Sequence, residues 1–173
     1  VILYGRVGTI MKSQLISSLS GEMKTGLQIY LYSVALESTR APEFIDITHP
    51  VKECVERSGV RNGIAVVFSR HTTAAIKINE NEPLLLTDME EFLEKMASRN
   101  GNYQHNDFTV RTVNMTADEC PNGHAHCQHL LLGTSENIPI IDGQLQLGRW
   151  QRIFLIELDM PRPREVLVQV IGE

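Results

Sequence analysis

No apolar run in this chain approaches the roughly 20 residues that cross a bilayer, so no membrane-spanning helix and no membrane partner are expected. The opening stretch Val1-Ile2-Leu3-Tyr4-Gly5-Arg6-Val7 is apolar but short, and Arg6 and Lys12 lie on the wrong side of it for a secretory signal. Met11-Lys12-Ser13 reads as a natural start, which makes residues 1–10 an N-terminal extension or an added segment. There are only three cysteines, Cys54, Cys120 and Cys127. That odd, small number excludes a disulfide framework and predicts reduced thiols in the cytoplasm. Basic residues number 16 against 21 acidic ones, for a net charge of −5. This balance argues against nucleic acid as a partner, because nonspecific binding needs a basic stripe that releases counterions. A local basic pocket for a small phosphorylated molecule remains open. The chain also lacks a glycine-rich phosphate loop, a carboxylate cluster suited to Mg²⁺, internal repeats, low-complexity tracts and linkers. One domain over residues 1–173 follows.

What is present is an ordinary globular composition, 42% hydrophobic and 21% charged. A chain of this length buries roughly 70% of the surface its unfolded form exposes. The run from Leu27 to Leu36 is apolar, aromatic and β-branched and predicts a strand, with Gly21 and Gly26 punctuating the stretch before it. A helix is expected from Ile47, with Thr48 or His49 as cap, Pro50 in the first turn, Val51, Cys54 and Val55 as the apolar face, and Gly59 at the end. Gly63 to Ser69 is almost wholly apolar, as suits a strand covered on both faces, and Ala74 to Ile78 predicts another. A long helix is expected over residues 83–98, with Leu85, Met89, Phe92, Leu93 and Met96 as one apolar stripe. Strands are expected at residues 129–132, 138–141, 144–147, 152–157 and 165–171, with Asp142-Gly143 as a hairpin turn. The whole predicts an α+β fold, mainly antiparallel sheets packed as a sandwich with two flanking helices.

Six histidines offer the chemistry. His124, His126 and His129 lie beside Cys120 and Cys127, and on a strand His124 and His126 would share a face. Imidazoles so grouped suit zinc. The alternative is a polar loop feeding a strand. The spacing matches no zinc-finger pattern, so the two thiols are poor ligand candidates. His71 falls in the polar break Arg70-His71-Thr72-Thr73, and His105 in a polar loop after the long helix. Asn79-Glu80-Asn81-Glu82 reads either as a turn and cap cluster or as a site in which Glu80 is held near His71 across a strand. Trp150 is a core candidate. Arg162 and Arg164, set among Pro161 and Pro163, can grip phosphate through forked hydrogen bonds. Alternatively, Arg164 pairs with a carboxylate such as Glu165 or Glu157.

Taken in order, His71-Thr72-Thr73-Ala74-Ala75, Ile78-Asn79-Glu80-Asn81-Glu82, Asp88-Met89-Glu90, Gly101 to Asp107, Asn122-Gly123-His124-Ala125-His126, Asp142-Gly143, Gly148-Arg149-Trp150-Gln151, Pro161-Arg162-Pro163-Arg164 and Gly172-Glu173 resemble the YjbQ family over nearly all of residues 20–173. The resemblance implies a compact sandwich-like subunit and a homotrimer. The family's recurring histidines fall on His71, His105 and His126, which moves the expected metal site from one local cluster to three distant segments. Those three histidines and Glu80 are the expected catalytic set. Asn79 and Gln151, polar residues of the matching motifs, join Arg162 and Arg164 as the expected phosphate-binding set. The family is associated with a weak thiamine-phosphate synthase activity, joining a pyrimidine diphosphate to a thiazole phosphate. The cofactor expected is a divalent metal, zinc on the histidines or Mg²⁺ with the diphosphate. A noncatalytic trimeric metal- or small-ligand-binding protein and a metal-assisted hydrolase with Glu80 as base are the competing readings.

Overall fold

The computed structural model describes residues 3–4, 11–19 and 26–173. The expected extension over residues 1–10, apart from Leu3 and Tyr4, and the punctuating Gly21 lie outside the described residues. In chain order the elements are β1 (Leu3–Tyr4), β2 (Met11–Leu19), β3 (Gln28–Glu37), β4 (Glu43–Asp46), α1 (Thr48–Ser58), β5 (Gly63–Ser69), β6 (Ala74–Glu80), α2 (Pro83–Met96), a 3₁₀ turn (Gln104–Asn106), α3 (Gly123–Leu132), β7 (Ser135–Ile141), β8 (Gln144–Leu145), β9 (Gln151–Glu157) and β10 (Pro163–Gly172). They form two antiparallel sheets. The larger has the order β1-β2-β3-β10-β5-β7-β8 and the smaller β4-β9-β6.

Side-chain alternation decides which face of each strand is buried. Along β10, Val166, Val168 and Val170 point inward with Tyr32, Val34 and Leu36 of β3 and Ala65 and Val67 of β5. They meet Ile45, Ala74, Ile76, Ile153 and Leu155 of the small sheet in the main core, which α1 joins through Val51, Cys54 and Val55. The other face of the small sheet, Phe44, Ala75, Phe154 and Ile156, packs against Leu86 and Leu93 of α2 and Ala125 and Leu132 of α3. Three layers result: large sheet, small sheet, and the pair α2 and α3. β9 lies in the middle and is apolar on both faces, which is why Ile153-Phe154-Leu155-Ile156 is unbroken. Each such side chain contributes roughly 1.5–3 kcal/mol through burial.

Several expectations need correction. Residues 129–132 are not a strand but the last turn of α3, so three helices flank the sandwich rather than two. The segment 123–132 has no β-branched residue, and its buried positions His124, Ala125 and Gln128 fall at helical spacing. On α2 the core-facing stripe is rotated from the expected one: Leu93 and Ala97 are buried, whereas Phe92 and Met96 are 57% and 55% exposed. Neither Thr48 nor His49 caps α1. Its N-cap is Ile47, and Asp46 Oδ1 accepts from the Thr48 N–H at 2.9 Å, while Thr48 Oγ1 accepts from the Ile153 N–H. Trp150 is not core but 59% exposed, with the Arg149 guanidinium over its ring. The Asp142-Gly143 hairpin forms as expected, with both residues at positive φ between paired Ile141 and Gln144.

Candidate functional site

The register of β6 on β9 separates the two ends of the small sheet. Ala74 pairs with Glu157 and Glu80 with Gln151, so these pairs mark opposite ends. Six extended steps span ~20 Å. His71 precedes Ala74 and belongs to the Glu157 end.

At that end Glu157 is fully buried. Its carboxylate accepts from Arg164 Nε and Nη2, both at 2.6 Å, from Ser38 Oγ at 2.9 Å and from the N–H groups of Leu158 and Asp159. Burial alone would push this carboxyl up, but the Arg164 hydrogen bonds and charge, helped by the other donors, hold it below the usual carboxylate range. Arg164 also donates to Thr73 Oγ1. The pairing alternative for Arg164 is thus the arrangement seen: it lines the site, but Nε and Nη2 are committed to Glu157 and do not form a free phosphate fork.

The turn before β6 is held by Ser69, whose hydroxyl donates to the Ala74 carbonyl and accepts from the His71 N–H. This places the His71 ring so that Nε2 accepts the Glu165 backbone N–H at 3.0 Å. A lone pair used in this way leaves the ring proton on Nδ1. Burial, then the Arg164 charge, lowers the His71 pKa below its usual 6.5. His71 is therefore a neutral Nδ1–H donor.

His105 and His126 are brought together by a close approach. A Cβ on Gly123 would lie 2.5 Å from Tyr103 Cβ, so only glycine lets the 3₁₀ turn seat against the start of α3. Asn106 Oδ1 accepts the Gly123 N–H at 2.9 Å. The two imidazole centroids are then 4.7 Å apart, edge to face. Burial, then the neighbouring His105, lowers the His126 pKa. His105 Nε2 is buried without a hydrogen-bond partner among the described residues. His124 points the other way along α3, is 2% exposed, and lies in the layer between α3 and the rest of the protein, as does Gln128, which donates to the Leu93 and Ala97 carbonyls.

These pieces surround one cleft of about 460 Å³, lined by Arg70, His71, Thr72, Thr73, His105, Arg111, Asn114, Glu119, Asn122, His126, Arg162 and Arg164. Among the described residues, four guanidinium groups and three imidazoles face a single lining carboxylate, Glu119. The acids that hold the other arginines stand outside the lining: Asp159 for Arg162 at 2.6 Å, Glu157 for Arg164 and Glu165 for Arg70. Each arginine is thus matched by an acid, but three of the four acids stand behind the lining, so the wall facing the cavity is rich in hydrogen-bond donors, the arrangement suited to an oxyanion.

Of the expected site residues, His71, His105, His126, Arg162 and Arg164 share this cleft. Glu80, Asn79 and Gln151 do not, because the extended β6 and β9 carry them to the far end. There the turn-and-cap reading applies: Asn79 Nδ2 contacts Met89 Sδ and Glu82 caps α2 through the Leu84 and Leu85 N–H groups. The buried acid beside His71 is Glu157, which no motif spacing singled out. Arg111, Asn114 and Glu119 were also missed, since residues 107–119 carry no periodicity to read.

The histidines do not fit the expected metal. His71 Nε2 is occupied by a backbone donor and Nδ1 carries the proton, so the ring offers no lone pair. Among the described residues no group of three or more His, Cys, Asp or Glu side chains is arranged to hold an ion. Glu119 alone is too small a carboxylate set for a protein-held Mg²⁺. Among the described residues, no helix is long and apolar enough to cross a membrane.

An α+β sandwich with a histidine–arginine cleft at one end of its small sheet defines the class, and comparison supplies the family. The pattern described as UPF0047 protein YjbQ-like matches residues 32–173, and this chain belongs to that family. A UPF0047 protein from Methanothermobacter thermautotrophicus is 43% identical over 153 residues, covering 87% of this chain and 99% of the relative. The UPF0047 protein YugU of Bacillus subtilis is 31% identical, covering 82% of this chain and 99% of the relative. The crystal structure of a YbjQ-like protein of unknown function from Sulfolobus solfataricus P2 superposes with a TM-score of 0.76 at 34% identity, covering 85% of this chain and 99% of that one.

Proposed function

We propose that the cleft binds a small phosphorylated molecule and uses it in a thiamine-phosphate synthase-type transfer. The observation that carries this reading is the convergence of Arg70, Arg111 and Arg162 with His71, His105 and His126 around one cavity, with Arg164 held behind them in its Glu157 pair and Glu119 the one lining carboxylate among the described residues. In such a transfer the thiazole nitrogen forms a bond to the pyrimidine methylene carbon while the carbon–oxygen bond breaks, and both electrons leave with pyrophosphate. Negative charge grows on the departing oxygens, where fixed guanidinium groups stabilise it. The His71 Nδ1–H donates to a phosphate oxygen. His126, neutral until an anion raises its pKa, delivers a proton to the leaving group. The metal-assisted hydrolase reading is not favoured, since Glu80, its base, stands at the other end of the strand.

The test is calorimetric titration with pyrophosphate, followed by incubation with both thiamine precursors. Binding with product that depends on the thiazole phosphate supports the transfer. Binding without turnover leaves a noncatalytic ligand-binding protein, and no binding removes the phosphate reading altogether. We further propose a homotrimer, supported by the exposed apolar side chains Leu84, Phe92, Met96, Leu130 and Leu131. Light scattering that gives a monomer at micromolar concentration overturns it. Three free cysteines, one buried and two accessible, suit the reducing cytoplasm.

A further inference from the structure

The ion pairs around the cleft are unequal. Arg162 and Arg164 hold their acids at 2.6 Å, the length of strong charge-assisted bonds. Arg111 holds Glu119 loosely: Nη1 lies 3.3 Å from Oε1 without the alignment of a hydrogen bond, and Nη2 lies 3.4 Å from Oε2. Arg111 Nη1 is buried and has no hydrogen-bond partner among the described residues, in a side chain only 14% exposed. The rest of the guanidinium is fixed by carbonyls of its own loop, Nη2 on Asn114 at 2.7 Å and Nε on Val113 at 3.4 Å. Among the described residues, Glu119, 15% exposed, accepts in addition only the Thr116 N–H, at 3.4 Å. A buried cation is therefore held in position mainly by neutral groups, with an unused donor lying beneath a poorly bound carboxylate, on two residues that line the cavity. An unmade buried hydrogen bond is costly, so a better acceptor would be taken up.

We infer that Glu119 is an internal competitor for the ligand anion, and that Arg111 exchanges its carboxylate for a phosphate group when ligand enters. This rests on the phosphate reading of the cleft and adds the basis of its selectivity. A singly charged carboxylate in solution gains nothing by displacing a tethered one. A phosphate or pyrophosphate, with at least two charges and three acceptor oxygens on each terminal group, reaches both Nη1 and Nη2 and displaces Glu119. Glu119 is thus a specificity-determining residue that rejects carboxylate ligands.

The experiment is titration of the full chain with pyrophosphate and, separately, with acetate, for wild type, Glu119→Gln and Arg111→Lys, with melting temperatures beside each. Glu119→Gln keeps shape while removing the competing charge, and should tighten pyrophosphate binding about tenfold, the equivalent of one charge-assisted hydrogen bond. It should also make acetate binding measurable. Arg111→Lys should weaken pyrophosphate binding at least as much, because the fork is lost. Pyrophosphate affinity that is unchanged or weaker in Glu119→Gln, while wild type binds, overturns the competitor role and leaves the phosphate cleft standing. Binding by Glu119→Gln alone supports the competitor in its strongest form. Absence of pyrophosphate binding in all three proteins overturns both the competitor and the cleft's phosphate reading.

Discussion

The two ends of the small sheet carry similar residue types with opposite consequences. At one end Glu157, Arg164, Thr73 and His71 interlock, and the two charged groups are 0% and 5% exposed. At the other, Glu80, Gln151, Asn79 and Arg152 pair across the same two strands and stay in contact with water. A carboxylate in water is solvated whether or not an arginine is near. A buried one must be matched by donors, and those donors fix every neighbouring group. Order in the site therefore comes from burial at one strand end, and motif spacing alone could not say which end that is.

The sharpest way to break this comparison is Arg164→Ala. It strands Glu157 in the interior and should cost about 3–5 kcal/mol, read from denaturant unfolding. The paired change Arg164→Met with Glu157→Leu should recover most of that loss. If Arg164→Ala is as mild as Glu80→Ala, the two ends do not differ as described.

Next in size is Gly123→Ala. The added methyl meets Tyr103 and Asn106 Oδ1, which forces the 3₁₀ turn away from α3 at a cost of roughly 1–3 kcal/mol, the range for overpacking. Separation of His105 from His126 should weaken pyrophosphate binding beyond the stability loss. Unchanged affinity would show that the imidazole pair is not part of the anion site.

The pH dependence follows from directions of shift. His71, His124, His126 and His129 all have pKa values lowered below 6.5, chiefly by burial. As pH falls below 6.5 the unfolded chain takes up protons that the folded one refuses, so stability decreases there and recovers as pH rises. Glu157, held below 4.5, adds stability that is fully present above that value and is lost at lower pH as its folded pKa is passed. Urea midpoints from about pH 8 to about pH 5 should fall monotonically. Nitrogen-15 spectra over the same range should show His71 protonated on Nδ1 and bare on Nε2. The opposite tautomer would return His71 to the candidates for metal ligation.

The smallest effect is expected at the far end. Glu80→Ala and Gln151→Ala, at half-buried and exposed positions outside the core, should each change stability by within about 0.5 kcal/mol and leave pyrophosphate affinity unaltered. A loss of affinity from either would place that end in the site after all.

Much of the layout is legible in the chain itself. The alternation of Val166, Val168 and Val170, the apolar run of β5 and the Asp142-Gly143 turn state their own conformation, because each depends on neighbours in the chain. The helical character of residues 123–132 is written in the spacing of Ala125, Gln128 and Leu132, but three histidines and a cysteine among them interrupt the apolar period that would mark a helix. The unbroken apolar stretch of β9 signalled burial on both faces without naming what lay on either side.

By itself, the sequence determined the strands β3, β5, β6, β7, β9 and β10 but not β1, β2 or β4, together with two of the helices, the hairpin, the family and the three histidines that meet in the cleft. Only the tertiary structure decided that Glu157 rather than Glu80 stands beside His71, that Arg164 is committed to an ion pair, and that Arg111 and Glu119 enter the cavity. These outcomes depend on antiparallel register, which pairs residues 83 positions apart at Ala74 and Glu157, and on which groups lose contact with water. Local propensity is set by adjacent residues, whereas desolvation is set by whatever the fold stacks above them.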